Sequence, residues 1–238
     1  MSTAVNDARL HEQVDRRIHS AGIGTSTISD SLDALGIPAK VLPPMRYIGT
    51  VENIFHGAAR PVQWYPSRKS AHITKRQPST WSQVEEFILP EDTSGRGRVY
   101  CAGAGGLVED AALLGGLSAT YLAKVMEFEG AVLGGALRDS DLAGRSGMGL
   151  VYSNTTPVDT QGSYVCLANL GYCVIESVVI STGDWIFADS DGVVACPREA
   201  LPGCLDIAES IEATERAMLD RLNRGERLNE IISETKRI

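Results

Sequence analysis

The stretch that most restricts the fold runs from residue 130 to 145: Gly-Ala-Val-Leu-Gly-Gly-Ala-Leu-Arg-Asp-Ser-Asp-Leu-Ala-Gly-Arg. Ala131-Val132-Leu133 is a short apolar run bounded by glycine, the pattern of a buried strand. Gly134-Gly135 then lets the backbone turn tightly or approach a ligand closely. Arg138, Asp139 and Asp141 follow directly. Charged groups just beyond a buried strand suit an α/β protein, whose sites gather at strand ends. A guanidinium at 138 can grip a carboxylate through two parallel hydrogen bonds. A carboxylate at 139 can ligate a hard divalent cation such as Mg²⁺, which takes oxygen ligands and keeps several waters. Taken alone, these residues fit a surface loop with Arg138 and Asp139 solvated at least as well.

The hydrophobic fraction of 43% over 238 residues supplies a real core. No internal repeat or boundary divides the chain, so a single domain over residues 1–238 is expected. Lys and Arg number 22 against 30 Asp and Glu, a net charge of -8, which disfavours nucleic acid as a partner. No apolar stretch approaches the roughly 20 residues that span a bilayer. The first residues lack the basic region and apolar core of a secretory signal. Cys101, Cys166, Cys173, Cys196 and Cys204 form no Cys-x-x-Cys pair and sit mostly in apolar runs. They read as buried free thiols of a cytoplasmic protein. His11, His19, His56 and His72 show no metal-ligand spacing.

In chain order, Val5, Leu10, Val14 and Ile18 mark an amphipathic helix over about 5–20. Thr25-Ser26-Thr27 offers an N-cap to a second helix carrying Ile28, Leu32 and Leu35, ended by Gly36-Ile37-Pro38. Strands are expected at Tyr47 to Phe55 and Ala58 to Trp64, with Pro61 placing the second at an edge or a bulge. Residues 66–80, rich in Ser, Pro, Lys and Arg, read as a solvated or partner-facing loop, with a lid as the alternative. A short helix follows at Trp81 to Leu89. Arg98 to Ala102 reads as a strand and residues 103–106 as a glycine loop. A helix from Val108 to Phe128 comes next, broken at Gly115-Gly116. Such a loop before a helix can cradle an anion, although it matches no nucleotide-binding fingerprint and tight chain reversal suffices to explain it. Further strands are expected at Leu150 to Ser153, Cys173 to Ile180, Trp185 to Ala188 and Val193 to Cys196. Asp184, Asp189 and Asp191 sit in the turns between them, where aspartate serves backbone geometry. From Cys204 to Ile238 the tail is helical, with an apolar stripe of Ile207, Ile211, Met218 and Leu222. That stripe packs on its own domain or on a neighbouring subunit.

Residues 25–36, the strand and loop at 98–106, Gly134 to Asp139, and residues 182–197 share an order and spacing. Over about residues 22–200 the chain thereby resembles the class II pyruvate aldolases, which cleave 4-hydroxy-4-methyl-2-oxoglutarate and 4-carboxy-4-hydroxy-2-oxoadipate. Their fold is shared with the regulators of ribonuclease E activity. The resemblance implies an α/β fold with a compact β core, of the swivelling β/β/α kind, flanked by helices. It also implies a trimer or a dimer of trimers, with sites between subunits. Arg138 would hold the 2-oxo acid and Asp139 would anchor Mg²⁺ or Mn²⁺. The backbone N–H groups of Leu117 and Ser118, with Gly116 beside them at the helix break, would bind the substrate carboxylate. Cleavage would leave pyruvate as an enolate, whose oxygen the metal and Arg138 stabilise.

One departure stands out. At the helix break those aldolases carry Gly, an acid and two apolar residues, whereas this chain has Gly115-Gly116-Leu117-Ser118. The family's Asp-Gly ahead of the Arg-Asp pair is likewise Gly134-Gly135. Glu109, Asp110 and Asp141 are the nearby acids that can stand in. The expectation is a metal-dependent lyase on a small carboxylated 2-oxo acid, by retro-aldol cleavage or decarboxylation. The alternatives are altered, metal-independent chemistry on the same scaffold (a lyase, hydrolase or isomerase) and a non-catalytic, regulator-like binding protein. Retention of Asp139 favours a small-molecule site.

Overall fold

The computed structural model describes residues 3–49, 54–67 and 81–235. Most of the basic stretch at 66–80 therefore lies outside the described residues, as do His72 and part of the expected strand at Tyr47 to Phe55. Helices α1 (Thr3–Ala21) and α2 (Thr25–Ala34) open the chain. Strands β1 (Lys40–Val41), β2 (Arg46–Ile48) and β3 (Phe55–Pro66) follow, then α3 (Trp81–Val84) and a 3₁₀ turn at Glu85–Ile88. The central part holds β4 (Arg98–Gly103), β5 (Val108–Leu114), α4 (Gly116–Lys124), β6 (Gly130–Leu133), β7 (Gly135–Leu137), α5 (Ser140–Gly144) and β8 (Gly149–Tyr152). Last come β9 (Tyr164–Leu167), β10 (Tyr172–Ile175), β11 (Val178–Ser181), β12 (Trp185–Ala188), β13 (Val193–Cys196), α6 (Leu201–Asn223) and α7 (Leu228–Thr235).

Among the described residues nine strands make one mixed sheet, ordered β1-β13-β12-β3-β4-β6-β8-β2, with β9 paired to the far end of β3. β3, β4, β6 and β8 run parallel. Their continuous apolar runs, such as Tyr100 to Ala102 and Ala131 to Leu133, are what strands covered on both faces require. The architecture is α/β, a compact β core flanked by helices, as the family resemblance implies. β3 lies inside the sheet, so Pro61 is not on an edge strand. Its missing N–H costs nothing because of where β3 changes neighbours. The Ala59 N–H donates to Asp184 O beyond β3's pairing with β12, and Gln63 begins the pairing with β9. Residue 61 points the same way as 59 and 63, into the gap between those two partners.

Three expectations change. Val108 to Leu114 is not helical: it is β5, parallel to β7, and the helix begins only at Gly116. The Ala-Leu content favours helix locally, but pairing with β7 overrides it. The glycine loop therefore leads into a strand, not a helix, and its geometry is that of a chain reversal, with Gly105 N–H donating to Val174 O at 2.9 Å. Cys173 to Ile180 is not one strand but the hairpin β10–β11, turned at Glu176 with φ 53°.

The helices cover the sheet through complementary apolar faces. Val14 and Ile18 of α1 pack with Ile28 and Leu32 of α2, Trp185 and Phe187 of β12, and Leu201 and Leu205 of α6. Fully burying a side chain of this size contributes about 1.5–3 kcal/mol. α2 takes its cap from a distance. The Asp189 carboxylate accepts from Thr25 N–H at 2.9 Å and Thr25 Oγ1 at 2.7 Å, and the Asp184 carboxylate accepts from Lys40 Nζ at 2.8 Å and Ser181 N–H at 3.0 Å, so these two turn acids are structural. The first half of α6 packs on its own sheet, whereas Leu219, Leu222 and Leu228 farther along the tail are exposed. All five cysteines are buried free thiols. Burial pushes the Cys101 thiol up and the Cys173 thiol to about 12, which keeps both protonated and unreactive. Among the described residues no helix is long and apolar enough to cross a membrane. His11 and His56, unremarkable by spacing, come together around Asp15.

Candidate active site

The carboxyl ends of β5 and β7 lie side by side, with Leu114 paired to Leu137. Each strand is followed by a helix, α4 beyond Gly115 and α5 beyond Asp139. Carboxyl ends of parallel strands facing helix N-termini are where α/β proteins bind ligands. Arg138 is held there by its own backbone, which donates to Leu114 O at 3.0 Å. Gly115 lets the side chain lie flat across the junction, since a Cβ there would stand 3.0 Å from Arg138 Nε.

Asp139 adopts left-handed backbone, φ 53° and ψ 44°, at the N-cap of α5. Aspartate tolerates this region better than most residues, yet such a conformation still costs on the order of 1–3 kcal/mol and marks a position under constraint. Its carboxylate is mostly exposed, 3.7 Å from Arg138 Nε. A second acid flanks the arginine: Asp159 Oδ2 accepts from Arg138 Nη1 at 3.3 Å. No motif or spacing in the sequence singles out Asp159. It lies in the loop between β8 and β9 and meets Arg138 only through the fold.

α4 completes the site. Its first internal bond runs from Ala119 N–H to Gly115 O at 2.9 Å. The N–H groups of Gly116, Leu117 and Ser118 therefore have no carbonyl partner within the helix, and the helix dipole adds positive potential. These residues form the first turn of a helix, not a break inside one. Leu117, Ser118, Arg138, Asp139 and Asp159 line one cavity of about 230 Å³. Leu117 is 81% exposed at its mouth.

The missing acid at 116 has a steric explanation. Gly116 is buried, and a Cβ there would stand 2.7 Å from Leu142 Cβ and 2.8 Å from its Cγ and Cδ2. Leu142 occupies the room a side chain at 116 would need. The three substitutes suggested by sequence do not line the cavity. Glu109 and Asp110 lie exposed on β5, and Asp110 accepts from the Tyr164 hydroxyl at 3.0 Å. Asp141 lines an adjoining, more open depression that shares Arg138 and Asp139 with the cavity. Asp159 lines the cavity itself, together with Arg138 and Asp139. This donor set fits a hydrated hard cation held by one carboxylate, Asp139, because Mg²⁺ readily keeps most of its waters. It does not form a cage: among the described residues no group of three ligating side chains gathers here.

Parallel strands that deliver an arginine and an acid to the mouth of a glycine-capped helix define an α/β protein with a cavity lined by Arg138, two acids and the first turn of that helix. The chain belongs to the Aldolase/RraA family, whose model matches residues 25–195. A candidate 4-hydroxy-4-methyl-2-oxoglutarate aldolase of Halorhodospira halophila is 33% identical over 105 residues, 44% of this chain and 62% of that protein. One from Azotobacter vinelandii is 29% identical over 45% of this chain and 64% of its own length. The chain thus spans less than two thirds of these curated relatives. Among solved structures, a Pseudomonas syringae pv. tomato protein superimposes with a TM-score of 0.74 at 21% identity, over 92% of this chain and 96% of the other. Streptomyces coelicolor RraAS2, an unusual member of the RNase ES inhibitor RraA protein family, gives a TM-score of 0.70 at 23% identity, over 87% and 96%.

Proposed function

We infer that this protein is a lyase acting on a small carboxylated 2-oxo acid, with the cavity around Arg138 as its active site. One observation carries the reading. A cation, two acids and the unpaired first-turn N–H groups of a helix converge on one cavity of about 230 Å³. The family's aldolases point to the same chemistry. The substrate carboxylate would rest on the N–H groups of Leu117 and Ser118, beside Gly116. Arg138 would face the 2-oxo oxygen. In retro-aldol cleavage of a 4-hydroxy-2-oxo acid, the 4-hydroxyl loses its proton and the C3–C4 bond breaks. That bond's electron pair passes through C3 to the 2-oxo oxygen, giving the pyruvate enolate, which takes a proton at C3. Arg138 would stabilise the enolate oxygen. Asp159 would accept the hydroxyl proton, the task for which position 116 has no acid. Mg²⁺ or Mn²⁺ held by Asp139 would supply further positive charge at the oxyanion.

Self-association as a trimer or a dimer of trimers belongs to this proposal, since Leu117 leaves an apolar rim at the cavity mouth for a second copy to cover. Its partners are then a small carboxylate and itself, and its buried thiols suit the reducing cytoplasm. The test is pyruvate release from a panel of 4-hydroxy-2-oxo acids and oxaloacetate, with Mg²⁺ or Mn²⁺. Turnover is expected on at least one compound, falling about 10²–10⁴-fold in Asp159→Asn. No pyruvate from any compound would refute the lyase reading. The Leu142 side chain at position 116 favours one second reading, a binding protein on the same scaffold. That reading predicts carboxylate binding without turnover.

A further inference from the structure

α1 lies against β3 through a cluster that shares no residue with the Arg138 cavity. His11 and Asp15 stand one helical turn apart on α1, four residues in sequence, and so share a face. His56 of β3 is 1% exposed beneath them. Ligating atoms of these three side chains all lie within 4.8 Å of one another. We propose that His11, Asp15 and His56 bind a borderline transition-metal ion of the Zn²⁺ class, which pins α1 to the sheet.

The distances suit a shared ion as well as a long hydrogen bond. His56 Nε2 and Asp15 Oδ1 are 3.3 Å apart, beyond the ordinary range of about 2.7–3.2 Å for N–H···O. For metal–ligand bonds of about 2.0–2.1 Å, the edge of a tetrahedron is about 3.3–3.5 Å. The His11 ring stacks on His56 with centroids 4.4 Å apart, and it would swing toward the ion. Its side chain is 18% exposed. Among the described residues His56 Nδ1 is buried without a hydrogen-bond partner, and Nε2, 3.3 Å from Asp15 Oδ1, is the ring nitrogen turned toward the cluster. An outer shell is already present. Glu129 Oε2 lies 3.8 Å from His11 Nε2, while its Oε1 accepts from Gly97 N–H at 2.8 Å. A fixed carboxylate behind a histidine orients the ring and raises its basicity. His19 Nδ1 stands 3.2 Å from the same Asp15 oxygen. Two imidazoles and one carboxylate suit Zn²⁺ rather than Mg²⁺. A surface depression lies beside His11 and Glu129. His11 and Asp15 precede the matched family region, residues 25–195, so this site would be a feature of this chain and not of the catalytic scaffold.

The test is a Zn²⁺ titration of the metal-free full chain against a chromophoric chelator, with amide hydrogen exchange of α1 in parallel. Wild type should take up one tight equivalent and slow exchange across α1. Removing an outer-shell partner typically costs about 10–100-fold in affinity, so Glu129→Gln should fall in that range and His11→Gln and Asp15→Asn should fall at least as far. Both ligand variants alter partly exposed side chains, and circular dichroism checks that they fold. Asp139→Asn should bind Zn²⁺ at this site as wild type does. No tight Zn²⁺ uptake by wild type would overturn the proposal. So would unchanged affinity in His11→Gln and Asp15→Asn, or loss of the tight site in Asp139→Asn instead.

Discussion

Gly116→Asp installs the acid that the family resemblance implies for this position, and the packing around Gly116 predicts that the fold resists it. Gly116 is the first residue of α4 and is not among the positive-φ residues, so the backbone accepts aspartate. An acid in the first turn even gains about 0.3–1 kcal/mol from the helix dipole. The obstacle is space, because the new Cβ would meet Leu142 Cβ at 2.7 Å and Cγ at 2.8 Å. The Cβ of Leu142 cannot swing away as a side-chain tip can. Overpacking of this kind costs about 1–3 kcal/mol. Net of the dipole, the variant should lose about 1–2 kcal/mol, a fall in Tm of roughly 2–8 °C for a chain of this size. Leu142→Ala removes the Cγ and Cδ contacts but leaves the Cβ–Cβ one, so relief should be partial. A double-mutant cycle in urea should give a coupling of about 0.5–1.5 kcal/mol in favour of the pair. Mg²⁺ affinity should rise in the double variant. Stability of Gly116→Asp within about 0.5 kcal/mol of wild type would show that Leu142 yields freely, and the steric account of the missing acid would fail.

Three further outcomes are expected. Asp139→Asn should weaken Mg²⁺ or Mn²⁺ binding in calorimetry with little change in unfolding, because asparagine also tolerates the left-handed backbone; equal binding by both proteins would remove Asp139 as the ligand. Burial, and then the neighbouring His11, lower the His56 imidazole to about 4, against the opposing pull of Asp15. The unfolded chain binds the proton first, so stability should fall as pH drops from about 6.5 to about 4, by on the order of 3 kcal/mol in metal-free protein. An identical pH slope in wild type and His56→Gln would contradict this. Light scattering at micromolar concentration should find a homo-oligomer, and a monomer would count against any site completed between subunits.

Much of the fold was legible in the sequence because its signals are local. The apolar runs at 131–133 and 193–196 are strands, and the stripes of α1, α2 and α6 carry helical periodicity. Arg138 and Asp139 sit at a strand end, where the run of residues after Gly134-Gly135 pointed. What the sequence concealed depends on distant partners. Val108 to Leu114 has helix-forming residues and becomes a strand only by pairing with β7. The β10–β11 turn lacks glycine or asparagine and rests on Glu176 in left-handed backbone. Asp159 meets Arg138 across 21 residues, and His56 meets Asp15 across 41. Neither pairing leaves a spacing to read. The packing of Leu142 against Gly116 explains a substitution that in sequence is only a missing acid.

The central claim is that Arg138 and the first turn of α4 hold a 2-oxo acid. Oxalate mimics the planar carboxylate and oxyanion of the pyruvate enolate, and calorimetry with Mg²⁺ present measures its affinity directly. Lysine at 138 keeps the charge but loses the planar two-point grip. A lost charged contact of this kind costs roughly 2–4 kcal/mol, or roughly 30- to 1000-fold. Wild type should therefore bind oxalate and Arg138→Lys should bind it weaker by that factor. Equal oxalate affinity in the two proteins, or none in wild type, would contradict the account.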